Sequence, residues 1–176
     1  MSTTTGSERD FGANDARAVV PGPAAAAVEA PSDFPVKSVG TLQLSEALRG
    51  DLEAMVCRGY PNETCGLLVG HQREGIVEVI DLIQARNLNR TRARDRYELD
   101  PRDFVAADSA ARGRGMEIVG IWHSHPDHPA RPSATDRAGA WAGWSYLIAS
   151  VTERRVAELR SWRLNGTDFC EEAIAS

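Results

Sequence analysis

The chain has 176 residues, 42% of them hydrophobic, and a formal net charge of −5. That length suits one domain with a sizeable core and some chain to spare. The acidic balance argues against general nucleic-acid binding, which needs a basic footprint, and no apolar run approaches the ~18 residues of a membrane span.

Residues 1–35 are rich in Ser, Thr, Gly, Ala and Pro and carry hardly any large apolar side chains. Such a segment buries too little surface to offset its ordering entropy, so a disordered N-terminal tail is expected, with residues 36–176 forming the folded domain. Val39, Leu42 and Leu44 suggest a short first strand. Ser45 then reads as the N-cap of a helix through about Arg58, its apolar stripe made by Leu48, Leu52, Met55 and Val56. The helix should stop before Gly59-Tyr60-Pro61. Leu67–Val69 and Ile76–Ile80 read as two strands joined by a link of hairpin length over 71–75. The second strand should continue through Asp81–Ala85.

Five arginines follow within eleven residues, at 86, 90, 92, 94 and 96. They read either as a solvated loop or as a basic rim that steers an acidic partner or contacts its extended tail. Tyr97–Leu99 is expected as a short strand. Asp100-Pro101 opens a helix with Phe104, Ala107 and Ala111 on one face, ending near Gly113 or Gly115. After an apolar strand at Ile118–Trp122, a helix is expected from Ser133 through about Ala142. Tyr146–Val151 reads as a buried strand and Val156–Arg163 as a half-exposed one. Asn165-Gly166 marks a tight turn before a last short segment around Phe169. Strands dominate, joined partly by hairpins and partly by helices. The fold class expected is an α/β sandwich, a mixed, curved β-sheet with flanking helices.

The stretch from Ile118 to Asp136 carries the chemistry. Strand side chains alternate faces, so His123 and His125 point the same way, roughly 6.5 Å apart along the chain. Two imidazoles so placed can close on one metal ion at about 2.0–2.1 Å each. Pro126, Pro129 and Pro132 stiffen the loop that follows. Ser133-x-x-Asp136 fits a capping box, and the second oxygen of Asp136 leaves it free to serve also as a ligand. Two histidines and a carboxylate, with a fourth position open to water, form a catalytic rather than a structural zinc set. The same ligands also accept iron, cobalt or manganese. Ser133 can in addition donate a hydrogen bond to a developing oxyanion. Trp122 faces away from His123 and is assigned to the core. His128 reads as a loop residue rather than a ligand, and Cys65 as a small buried strand residue rather than a nucleophile. Three scattered cysteines (57, 65 and 170) make no disulfide framework, and an odd count without a signal-peptide pattern points to the cytoplasm.

Glu63, His123-x-His125, Ser133 and Asp136 together resemble the JAMM (MPN+) metalloprotease motif, an upstream Glu followed by H-x-H-x7-S-x2-D. The resemblance spans residues 38 to 172. It implies a cytidine-deaminase-like JAMM/MPN sandwich, with Zn2+ held by His123, His125 and Asp136. It also implies that Glu63 activates water and that Ser133 assists the oxyanion. By spacing and composition alone, Glu63 is an ordinary loop carboxylate. The segments Tyr60-Pro-x-Glu63-x-Cys65-Gly66-Leu67 and His123-Ser-His125-Pro-Asp-His128-Pro look like the compact bacterial and archaeal members. Those relatives act on small ubiquitin-like sulfur-carrier proteins and cleave after a C-terminal Gly-Gly, releasing cysteine or trimming the tail.

Two readings stand beside that one. A catalytically silent MPN-type binding scaffold predicts missing ligands, and a zinc amidohydrolase acting on a small molecule uses the same set. A zinc nucleobase deaminase would need a C-x-x-C, which the chain lacks.

Overall fold

A computed structural model describes residues 40–176; the expected tail over 1–35, and Val39 of the expected first strand, lie outside the described residues. In chain order the elements are β1 (Thr41–Gln43), α1 (Glu46–Gly59), β2 (Cys65–Arg73), β3 (Ile76–Ala85), α2 (Pro101–Gly113), β4 (Glu117–Pro126), α3 (Ala134–Ala138), β5 (Ser145–Thr152), β6 (Arg155–Asn165) and β7 (Asp168–Ala175). The expected curvature of the sheet goes as far as closure, in the order β1-β3-β2-β4-β5-β6-β7. Three-residue β1 closes it, running parallel to both β3 and β7. The β4–β5 pair is also parallel, and the remaining neighbours are antiparallel.

Helices pack on both faces. Leu52 and Val56 of α1 lie against Leu68, Trp122, Leu147, Ala149 and Val151. Ala107 and Ala111 of α2 lie against Leu67, Val69, Met116 and Ile118. Alternation along β2 therefore deals Leu68 to the α1 side and its neighbours Leu67 and Val69 to the α2 side. In β4 the alternation is broken on purpose. Leu68 pairs with Gly120 but Val69 pairs with Ile118, so Val119 is an extra residue, a β-bulge. Before the bulge Ile118 joins the α2 cluster; after it Ile121 does, while Val119 and Trp122 join the α1 cluster. His123 and His125 follow Ile121 onto the α2 side, and Trp122 is fully buried on the other, as expected from the sequence.

Four expectations change in detail. The β2–β3 link shortens to Glu74-Gly75, whose φ angles of 44° and 83° are those of a type I′ turn. Tyr97–Leu99 is not a strand: only an isolated Asn87–Leu99 bridge forms. There the Asn87 side chain takes the place of a ladder partner, its Oδ1 accepting from Glu98 N at 3.0 Å. The helix expected to Ala142 stops at Ala138, with Gly139 at its C-cap. Trp141 N is diverted to the Tyr146 hydroxyl at 2.6 Å, and Trp141 and Trp144 pack on Phe104. The segment around Phe169 is a full strand, β7, whose apolar alternation is interrupted by Glu172. That carboxylate points inward, accepting from Arg163 Nε at 2.7 Å and Ser161 Oγ at 2.8 Å.

Gly66 shows how tightly the β2–β4 pair is fitted. A Cβ there would stand 2.2 Å from Ile83 O and 2.4 Å from the Trp122 ring. Gly66→Ala should therefore destabilise the domain by about 2–3 kcal/mol, since the backbone oxygen cannot yield as a side chain does. Urea unfolding of the two proteins measures it, and a difference within experimental error would contradict this packing.

Candidate metal centre

The β2–β4 ladder does more than build the sheet. Cys65 lies opposite His123. One residue further, Ser124 N donates to Thr64 O at 2.9 Å and Thr64 N donates to Ser124 Oγ at 2.9 Å. Glu63, the residue before Thr64, stands close enough to His125 and Asp136 for their charges to act on its carboxyl. The loop after β4 returns Asp136 to the same place through the first turn of α3.

Three of the residues singled out in the sequence converge closely. His123, His125 and Asp136 each offer a ligand atom, and these lie within 4.8 Å of one another. The two imidazole Nε2 atoms are 3.0 Å apart, and they stand 3.4 Å and 3.6 Å from the Asp136 oxygens. Ligands about 2.0–2.1 Å from a tetrahedral ion are separated from one another by roughly 3.3 Å, so the set has the right size for one cation. Its chemistry also fits, two neutral imidazoles and a carboxylate being a donor set for a borderline divalent metal.

The two histidines are held differently. His125 Nδ1 sits 2.8 Å from Pro129 O. The carbonyl can only accept, so Nδ1 carries the proton and Nε2 presents its lone pair inward. His123 is fully buried, and its Nδ1 is without a hydrogen-bond partner among the described residues. Its ring is instead packed against Tyr97, centroids 4.7 Å apart. Burial pushes the His123 pKa down. His125 is pushed down by burial as well, but Asp136 and the Pro129 carbonyl outweigh that and hold it above the usual histidine value. Burial works against the Asp136 anion, yet the adjoining His123 and His125 rings and a hydrogen bond from Ser133 hold it well below the ordinary carboxylate range.

Ser133 and Asp136 form the capping box expected from their spacing. Ser133 N donates to Asp136 Oδ2 at 2.6 Å, and Asp136 N donates to Ser133 Oγ at 3.2 Å. Because Oγ accepts there, its own proton is left uncommitted among the described residues. Glu63 stands just outside the three ligands but within their field, with its side chain largely buried. Burial lifts its carboxyl to about 7, His125 opposing and Asp136 adding to the rise. Its backbone is clamped, since Glu63 N donates to Ala93 O at 2.6 Å and Asn87 Nδ2 donates to Glu63 O at 3.0 Å. A cleft of about 370 Å³ opens beside it, lined by Glu63, Thr64, Gln84, Ala85, Arg86 and Asn87.

His128 is exposed and lies outside the convergent set. Cys65 is fully buried, and its thiol is pushed up to about 12 by that burial, which suits packing and not attack. Thr64, Asn87, Ser124 and Tyr97 were not singled out by the sequence. Ser124 and Thr64 could have been, by sliding the two strands into register. Tyr97 gives no such signal, because its neighbour in space is 26 residues away in the chain.

The profile of the prokaryotic homologs of the JAB domain matches residues 45–165. A desampylase from Haloferax volcanii is 37% identical over 118 residues, covering 65% of this chain and 78% of that protein. A CysO-cysteine peptidase from Mycobacterium tuberculosis is 30% identical over 135 residues, covering 72% of this chain and 88% of that one. The solution structure of a Desulfitobacterium hafniense protein superposes with a TM-score of 0.66 at 30% identity, covering 76% of this chain and 90% of that one.

The raised Glu63 carboxyl has a consequence for the metal-free protein. At low pH the folded and unfolded chains both hold this proton. As pH rises from about 4.5 to about 7 the unfolded chain ionises first, so this group's contribution to stability is lost across that window, on the order of 2–3 kcal/mol. Wild type should therefore lose stability relative to Glu63→Gln between about pH 4.5 and about pH 7.5 in chelator-treated samples. Denaturant midpoints measure it, and a pH-independent difference contradicts the assignment.

Proposed function

The chain belongs to the family of prokaryotic homologs of the JAB domain, and from that premise we propose that it is a zinc-dependent metallopeptidase. Its substrate is a small ubiquitin-like sulfur-carrier protein, cleaved at the peptide or isopeptide bond after a C-terminal Gly-Gly. The observation that carries this reading is the buried Glu63 carboxyl, its pKa lifted to about 7, close to two imidazoles and an aspartate sized for one ion. The similarity to a desampylase and to a CysO-cysteine peptidase supports the substrate class.

In this reading His123 Nε2, His125 Nε2 and the Asp136 carboxylate hold zinc. When bound, zinc supplies Lewis acidity, making water acidic near neutral pH and drawing electron density from a carbonyl oxygen. Glu63 takes a proton from the water that attacks the scissile carbonyl carbon. It then hands that proton to the leaving nitrogen as the C–N bond breaks, leaving a carboxylate on the carrier and a free amine. A carboxyl near pKa 7 is matched to both directions of that transfer. The Ser133 hydroxyl, its proton uncommitted, donates to the oxyanion that forms on the carbonyl. The clamps on the Glu63 backbone keep the base from drifting, and the cleft beside it seats an extended tail, for which two residues without side chains are the easiest fit. A binding scaffold would have no need of this complete set.

Cleavage of a carrier-Gly-Gly-X fusion, paired with metal analysis of each protein, tests the roles. Glu63→Ala should keep the metal and lose turnover by about 10²–10⁴-fold, the usual worth of a positioned base. His123→Ala should lose both. Ser133→Ala should lose about 2.7–4 kcal/mol of transition-state stabilisation, while the lost cap costs a further 0.5–2 kcal/mol, roughly, in folding stability. Full activity in both Glu63→Ala and His123→Ala would overturn the proposal.

A further inference from the structure

The arginine-rich connection between β3 and α2 is not absorbed by the hydrolytic site, and its charges are unevenly spent. Arg86 is neutralised twice, Nη2 meeting Asp100 and Asp103 carboxylates at 2.8 Å each. Arg92 is paired with Asp95. Arg96 donates to the Asp95 backbone carbonyl at 2.6 Å and lies near its carboxylate. Arg90 and Arg94 are exposed and make no ion pair or side-chain hydrogen bond among the described residues. Leu88, on the same connection, is 39% exposed.

This segment is also fastened to the catalytic lip. The crest residue Ala93 is the acceptor for Glu63 N, and Asn87 ties Glu63 O to Arg96 O through one amide, at 3.0 and 3.1 Å. Asp127 raises the pKa of Tyr60, three residues before Glu63, and Arg94 lies close enough for its charge to oppose that rise. The connection that carries two free cations and one exposed leucine is thus tied to Glu63, in a chain whose net charge is −5.

We propose that Arg90 and Arg94, with Leu88 beside them, form a docking lip for an acidic face on the body of the protein substrate. The partner is chosen by charge next to the place where its tail is cut. This rests on the reading of the chain as a carrier-protein hydrolase. Charge of the opposite sign speeds encounter and rejects basic competitors. An exposed leucine with no free aromatic side chain beside it suits a protein face better than a single-stranded nucleic acid, which needs stacking platforms. The one aromatic residue of the segment, Tyr97, is packed on His123.

The test reads binding separately from cleavage. Full-length Glu63→Ala protein is titrated with a ubiquitin-like carrier bearing an acidic surface and a Gly-Gly tail. Adding Arg90→Glu and Arg94→Glu should weaken Kd by about tenfold or more, and the parent affinity should fall with salt. Arg112→Glu, at an exposed arginine paired with Asp108 in the last turn of α2, should match the parent. A carrier whose acidic residues are changed to lysine should recover affinity for the double variant. Unchanged affinity after the double reversal, or displacement of the carrier by a single-stranded RNA oligonucleotide of equal charge, overturns the proposal. Cleavage of a carrier-Gly-Gly-X fusion by wild type is measured in parallel. If it fails while the arginine-dependent binding persists, the hydrolase reading falls and the docking lip stands.

Discussion

The site depends on the exchange of hydrogen bonds between Thr64 and Ser124. These two residues lie just past the last β2–β4 pair, Cys65 with His123; Glu63 precedes β2, while His125 stays in β4, paired with Ser150 of β5. Backbone and side chain both take part, with Ser124 N on Thr64 O and Thr64 N on Ser124 Oγ. The hydroxyls are 3.1 Å from each other as well. Register between strands is otherwise set by apolar pattern and turn geometry, and it loosens toward strand ends. Fastening this end fixes the face on which Glu63 stands. Were the strands free to slip by one residue, Glu63 would turn to the opposite face and the carboxyl would leave the imidazoles.

Around that junction the groups are restrained by unlike means. His125 is oriented by a hydrogen bond to a carbonyl in a proline-stiffened loop. His123 is oriented by packing between Tyr97 and the buried sheet, with Nδ1 unpartnered. Asp136 is oriented by the capping box of a short helix that buries no apolar residue of its own. The cap and the ligand set therefore share one carboxylate. Ordering of the first turn of α3 and ordering of the site are coupled through it, as expected where metal sites and local folding are linked.

Much of this was legible in the chain, and the reasons differ from element to element. Leu48, Leu52, Met55 and Val56 announced α1 because a helical stripe repeats locally, and Ser45 caps it as its residue type suggests. The ligand set was legible because His-x-His on a strand and Ser-x-x-Asp at a helix start each fix geometry within a few residues. Glu63 was legible only through family resemblance, since its position depends on strand pairing across 60 residues of sequence. The length of β7 was hidden by Glu172, which reads as a surface residue until Arg163 and Ser161 are seen beside it. The end of α3 was hidden because the tryptophans after Gly139 find partners on α2, a tertiary preference that local propensity does not carry. The arginine stretch was recognised as basic, but which of its charges are free is decided by Asp95, Asp100 and Asp103 in the folded chain.

The additional residue at Val119 has a bearing on what kinds of change the protein can absorb. Between Ile118 and His123 it is spacing, more than side-chain identity, that decides which direction the imidazoles look. Were the strand to run through Val119 with plain two-residue periodicity and no bulge, both imidazoles would turn toward the layer filled by α1 and the indole would turn toward the α2 side. Deleting that one residue, by contrast, would straighten the strand and leave the imidazoles facing as they do, because every pair from Gly120 to His123 already keeps step with β2.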